Sequence, residues 1–151
     1  MPKKNHAGNR FILILLLIAV SFLMVDCSES DVIEIGERMF IGQVNAIYMN
    51  ADDFLGKTIK LQGIFKRGQW EAHGEWFYFV LRYGPGCCGD DGNVGFEVKW
   101  SDSQDYPPPE SWVEAVGILK SDKVNDSRSY IYLDLISLTV LDKRGEEFVR
   151  Q

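Results

Sequence analysis

Two adjacent cysteines followed almost at once by two aspartates, Cys87-Cys88-Gly89-Asp90-Asp91, are the residues of this chain best equipped for chemistry. A thiolate is a soft ligand and a nucleophile; a carboxylate is a hard ligand and a proton acceptor. Together they offer a mixed soft and hard donor set for zinc or another transition metal, although structural zinc sites usually space their cysteines two or more apart. Four glycines, Gly84, Gly86, Gly89 and Gly92, punctuate the same stretch, and Arg82 stands just ahead of it. Cys27 is the only other cysteine of the chain.

Four readings of the pair stand open. Cys87, Cys88, Asp90 and Asp91 capture a metal, joined by His73 if the preceding loop folds across. Alternatively, the neighbours form a vicinal disulfide, a strained and reducible ring that persists outside the cytoplasm. A third reading is thiol-redox catalysis, although the C-x-x-C at a helix N-terminus that lowers a thiol pKa is missing. In the fourth the thiols are simply buried in a compact turn. Arg82 either pairs with Asp90 or Asp91 and orients them or is a solvated charge at a strand end. Two other chemistries are excluded by spacing. Asp90-Asp91-Gly92-Asn93 lacks the alternating oxygens and terminal Glu of an EF-hand, and the glycines lack the G-K-[ST] ending of a P-loop.

The elements that must position these residues are strands. Thr58–Phe65, Trp76–Tyr83, Val94–Trp100, Trp112–Lys120 and Tyr130–Leu141 alternate apolar and polar residues or run as aromatic and β-branched stretches. Gly63 and Gly117 fall inside strands, where a bare backbone marks a bulge or sharp coiling. The spacing of Met39, Phe40, Gln43, Val44, Ile47 and Tyr48 predicts a short amphipathic helix over 38–49. The fold class is therefore mainly β: a small five-stranded OB-like barrel with a short N-terminal helix, an open β-sandwich being the alternative. Gly84–Asn93 reads as a ten-residue loop between the second and third strands, longer than a hairpin requires. Trp70, Trp76, Tyr78, Tyr83, Trp100, Tyr106 and Trp112 either fill the core or line a groove on one barrel face.

The start of the chain says where the barrel lives. Lys3, Lys4 and Arg10 precede fifteen residues, Phe11 to Val25, interrupted only by Ser21. That is the layout of a secretory signal, and at 1.5 Å per residue it spans roughly 22 Å, short of the roughly 30 Å of a bilayer core. Cys27 resembles the acylated cysteine of bacterial lipoproteins, with Val25 and Asp26 where that signal carries small residues. An uncleaved signal-anchor and free secretion are the alternatives. Residues 1–26 are thus a signal or anchor, 27–37 a tether, and 38–151 one domain. The expected place is the outer face of the cytoplasmic membrane. From Cys27 onward 13 basic residues face 21 acidic ones, a charge of −8. Such a body repels phosphate backbones, which excludes nucleic acid as a partner.

The series Asp53-Phe-Leu-Gly-Lys-Thr-Ile59, Phe79-Val-Leu-Arg82, Tyr83 to Gly92, Gly95-Phe-Glu-Val98 and Trp112-Val-Glu-Ala-Val-Gly117 resembles the C-terminal domain of bacterial YcgQ-type membrane proteins. That domain is a family of unknown function, and the resemblance covers about residues 32–141. It implies an extracytoplasmic accessory domain beside a YcgR-type predicted permease, with a loose link to zinc. By position, Cys87, Cys88 and Asp90 match the family's signature loop. The functional expectation is a membrane-tethered binding module, not an enzyme, whose CCGDDG stretch contacts a metal ion or the permease. A thiol-redox protein and a purely structural envelope domain are the competitors.

Overall fold

The structure, a computed structural model, describes residues 32–69, 74–86, 89–100, 105–125 and 128–150, with backbone alone at 86, 89–91 and 128. Among the described residues there are six strands: β1 (Val32–Glu34), β2 (Thr58–Gln69), β3 (Trp76–Gly86), β4 (Gly89–Lys99), β5 (Trp112–Asn125) and β6 (Arg128–Val140). Helix α1 (Phe40–Met49) follows a 3-10 turn at Glu37–Met39, and a single turn, α2 (Ala51–Phe54), precedes β2.

The sheet runs β1-β2-β3-β4-β6-β5, and pairing of β2 with β5 closes it into a five-stranded barrel. β4 and β6 are parallel, while β2–β3, β3–β4, β5–β6 and β2–β5 are antiparallel. This is the expected OB-like barrel. Its interior comes from the period-2 alternation seen in the sequence: Ile59, Leu61 and Phe65, then Val80, Phe96, Val98, Val113, Ala115, Leu119 and Leu133, all at most 1% exposed. Helix α1 adds Phe40, Ile41, Val44 and Ile47 to the same cluster, so it packs on the barrel.

Two glycines let the barrel coil. At Gly117 the β5–β6 register shifts, and a Cβ there would lie 2.9 Å from the Asp134 carbonyl oxygen. Gly63 lies where β2 passes from β5 to β3; its Cβ would stand 2.7 Å from the Leu81 oxygen. Both expected irregularities are therefore close backbone approaches.

Three features go beyond the sequence reading. β1 pairs in parallel with β2 from Val32↔Thr58 to Glu34↔Lys60, and Ile35 is buried, so the chain enters the fold inside the expected 27–37 tether. The β5–β6 hairpin continues past the barrel wall to Asn125↔Arg128. Residues 141–150 return as a strap: Tyr83 N–H donates to the Glu147 carbonyl, Val149 N–H donates to that of Tyr83, and Val149 enters the core. No helix among the described residues is long and apolar enough to cross a membrane. The signal or anchor segment and Cys27 lie outside the described residues.

Candidate functional site

The stretch read as a ten-residue loop is mostly strand. β3 and β4 pair continuously from Phe79↔Glu97 to Gly84↔Gly92, pass a register shift, and pair again at Gly86↔Gly89. Between the strands stand only Cys87 and Cys88. The physical reason is that glycine permits unusual backbone without demanding it. Gly92 serves close packing instead, since a Cβ there would meet the Pro85 oxygen at 2.8 Å. Gly84 likewise faces Val94, whose Cγ2 would be 3.2 Å from an added Cβ. The paired ladder thus reaches the residues that flank Cys87-Cys88 in the chain, and Asp90 and Asp91 belong to β4.

Cys87 and Cys88 lie outside the described residues, as does His73, and Asp90 and Asp91 are described by backbone alone. Among the described residues no group of three His, Cys, Asp or Glu side chains gathers as a metal requires.

The structure corrects the solvated strand-end reading of Arg82, whose side chain is 1% exposed; the carboxylates of Asp90 and Asp91, the other expected partners, lie outside the described side chains. Nε donates to the Gln62 carbonyl at 2.8 Å and Nη1 to that of Glu146 at 3.1 Å. Glu37 supplies a carboxylate 3.6 Å from Nη1. The guanidinium lies over the rings of Phe40 and Trp112, 4.6 and 4.9 Å from their centroids. Burial lowers its pKa, and Glu37 opposes the shift. Arg82 thereby joins β2, the 3-10 turn, α1, β5 and the C-terminal strap. Sequence reasoning missed this role because its partners are backbone carbonyls from distant segments.

The aromatics divide. Trp112 is core at 2% exposed, and Tyr78, Tyr106 and Phe65 stack, with 3.7 Å between the Tyr78 and Tyr106 centroids. Trp100 packs against the core, whereas Trp76 is exposed with Arg67 over its ring. Trp70 lies outside the described residues.

An open groove of about 620 Å³ runs along the outer face of β3 and β4, between the end of α1 and the start of β6. Sequence patterning turns Gly95 and Glu97 outward on an alternating strand but does not join them to Tyr48 or Tyr130. Tyr48 stands at one side with its ring stacked on Phe96, centroids 5.3 Å apart and planes 7° apart. Its hydroxyl donates to the Gly95 carbonyl at 3.0 Å. Glu97 and Tyr130 also line the groove. Lys99 Nζ reaches the Tyr130 hydroxyl at 2.5 Å, Asp122 at 3.2 Å and Glu97 at 3.7 Å. It also lies over the Tyr130 and Tyr132 rings. Burial alone would lower the Lys99 ammonium pKa, but these bonds to Tyr130 and Asp122 and the charge of Glu97 outweigh it and raise it.

Burial raises the Glu97 carboxyl above its ordinary 4.5, against the pull of Lys99. A carboxyl raised in the folded state binds protons more tightly there, so it withdraws stability as pH climbs through 4.5. Glu97→Gln removes that loss. The variant should be more stable than the parent at neutral pH, by under about 1 kcal/mol, and should match it below about pH 4. Urea unfolding at both pH values checks this; a gap of equal size at both would refute it.

A family model described as the DUF1980 C-terminal domain matches residues 20–149. Comparison with curated proteins returns no match.

Proposed function

This chain belongs to the DUF1980 C-terminal domain family, a family of unknown function, and we propose that it is a membrane-tethered binding module outside the cytoplasm. The end of its β3–β4 hairpin holds a metal ion, zinc first. The supporting observation is the ladder itself: Gly86↔Gly89 pair on either side of Cys87-Cys88 in the chain, and two carboxylate residues follow on β4. Thiolate and carboxylate donors match zinc's preferences. Adjacent cysteines diverge, so a carboxylate or a partner's group completes the coordination. The basic N-terminus and apolar run support the tether, through acylation of Cys27 or an uncleaved anchor. A YcgR-type permease is the membrane partner that the family resemblance supports, and the module presents the hairpin to it.

Zinc titration of the reduced full-length chain tests this. One equivalent should bind with release of protons as the thiols ionise, and Cys87→Ser or Cys88→Ser should abolish it. Unchanged binding in both variants, or none in the parent, refutes the metal reading. For the partner, a cross-linker attached at Cys87 should capture co-expressed permease. Its failure while zinc still binds would leave a metal module without that partner.

A further inference from the structure

Among the described residues the groove over β3 and β4 is lined by none of the proposed metal ligands, and its chemistry selects a different kind of ligand. We infer that it binds a short neutral oligosaccharide of β-linked, equatorially substituted pyranose units, stacked on Tyr48. The first support is the platform. Tyr48 is 48% exposed, yet one face is packed on Phe96 and its hydroxyl is tied to Gly95, so the ring is held before any ligand arrives. Fixed rings bind at low entropic cost. An equatorially substituted pyranose presents a flat C–H face to such a ring; an axially substituted one does not.

The second support is the polar lining. Asn93, Glu97 and Ser129 line the groove together with the Tyr130 ring. A carboxylate, an amide and a hydroxyl supply acceptors for a ligand rich in O–H donors, and an apolar wall with a few placed polar groups is the usual form of a small-ligand site. The volume of about 620 Å³ falls within the range of such sites.

The third support is charge. Lys99, which neighbours Glu97, is engaged by Tyr130, Asp122 and Glu97. Among the described lining residues the charged one is Glu97, in a body already at −8. Phosphate, sulfate and carboxylate ligands are repelled, and with them the nucleic acids that also stack on aromatic rings. A simple cationic group finds the Tyr130 ring already occupied by Lys99. A neutral hydroxylated ring fits what is left.

The test is amide chemical-shift mapping of the full-length chain, in a detergent without sugar headgroups, against cellotetraose, chitotetraose and a sulfated heparin tetrasaccharide. At least one neutral tetrasaccharide should shift Gly95, Glu97, Ser129 and Ile131, with Kd on the order of 1 mM. Cellotetraose or chitotetraose acting alone identifies a plain or an N-acetylated sugar. Tyr48→Ala should weaken binding about tenfold, Tyr48→Phe by no more than about threefold, and Glu97→Gln by about fivefold. Cys87→Ser should leave it unchanged, which separates this site from the metal reading. Three results would overturn the inference: no shift with either neutral sugar, equal or tighter binding of the sulfated one, or full affinity in both Tyr48→Ala and Glu97→Gln. Because Glu97 is a wall residue whose loss should not unfold the barrel, the Gln variant decides the matter even if Tyr48→Ala folds poorly.

Discussion

Replacing Arg82 with alanine should cost the domain roughly 3–5 kcal/mol, the range of a large-to-small change at a buried site combined with the loss of charge-assisted hydrogen bonds to two carbonyls. The substitution withdraws donors from the Gln62 and Glu146 carbonyls and leaves the Glu37 carboxylate without its partner. It also opens a gap between the Phe40 and Trp112 rings. Domains of this size have about 5–15 kcal/mol in total, so the loss is a large fraction of stability. A fall in Tm of roughly 10–20 °C should accompany it. Arg82→Lys should recover little, because an ammonium is a single point of charge and the guanidinium is a flat fork that lies between two rings while donating to separate carbonyls. Urea unfolding of the three proteins measures this. A lysine variant as stable as the parent would show that charge alone matters and would refute the bridging role. Arg82→Ala should also loosen residues 144–149, since Glu146 is one of the anchors of the strap; faster amide exchange at Tyr83 and Val149, which bond across that junction, is the specific sign.

Gly95→Ala should be nearly as damaging, at about 3 kcal/mol. A Cβ at Gly95 would lie 2.1 Å from the Val80 oxygen and 2.6 Å from Leu81 Cα. Both are backbone atoms of the neighbouring strand, so no rotamer change relieves the clash and β3 must move away from β4. Ordinary overpacking costs about 1–3 kcal/mol because side chains can shift; here the ladder itself is forced apart. The consequence extends to the groove. The Gly95 carbonyl is the acceptor that holds the Tyr48 hydroxyl, and Phe96, its neighbour, supports the Tyr48 ring. Gly95→Ala should therefore lower stability and sugar affinity together, whereas Glu97→Gln should raise stability at neutral pH and lower affinity. Opposite stability changes with a shared loss of binding would tie the groove to the strand pair that forms it. A Gly95→Ala protein as stable as the parent in urea would show that β3 and β4 are not held as close as described.

The barrel was legible because its signal is periodic. Ile59, Leu61 and Phe65 on β2, and Phe96 and Val98 on β4, alternate at the period a strand imposes, and the interior follows that alternation. The helix was legible for the same reason, from Phe40, Val44 and Ile47. The hairpin was misread because glycine is an ambiguous letter. Gly84 and Gly92 suggest a loop when taken alone, and only the opposite strand reveals that they are paired. Val32–Glu34 was too short to be recognised as a strand apart from β2, which pairs with it. The candidate metal residues were legible by type and spacing alone.

Sequence by itself determined the strand alternation, the acidic charge of the body, the basic and apolar start, and the adjacency of Cys87 with Cys88. Each of these is set by neighbours along the chain. Tertiary structure alone decided that Arg82 is a buried bridge, that residues 141–150 strap β3, and that Tyr48 and Glu97 share a groove. Those pairings join residues tens of positions apart, and a charge, a tyrosine or a glycine carries no mark in the sequence of which distant backbone atom will meet it.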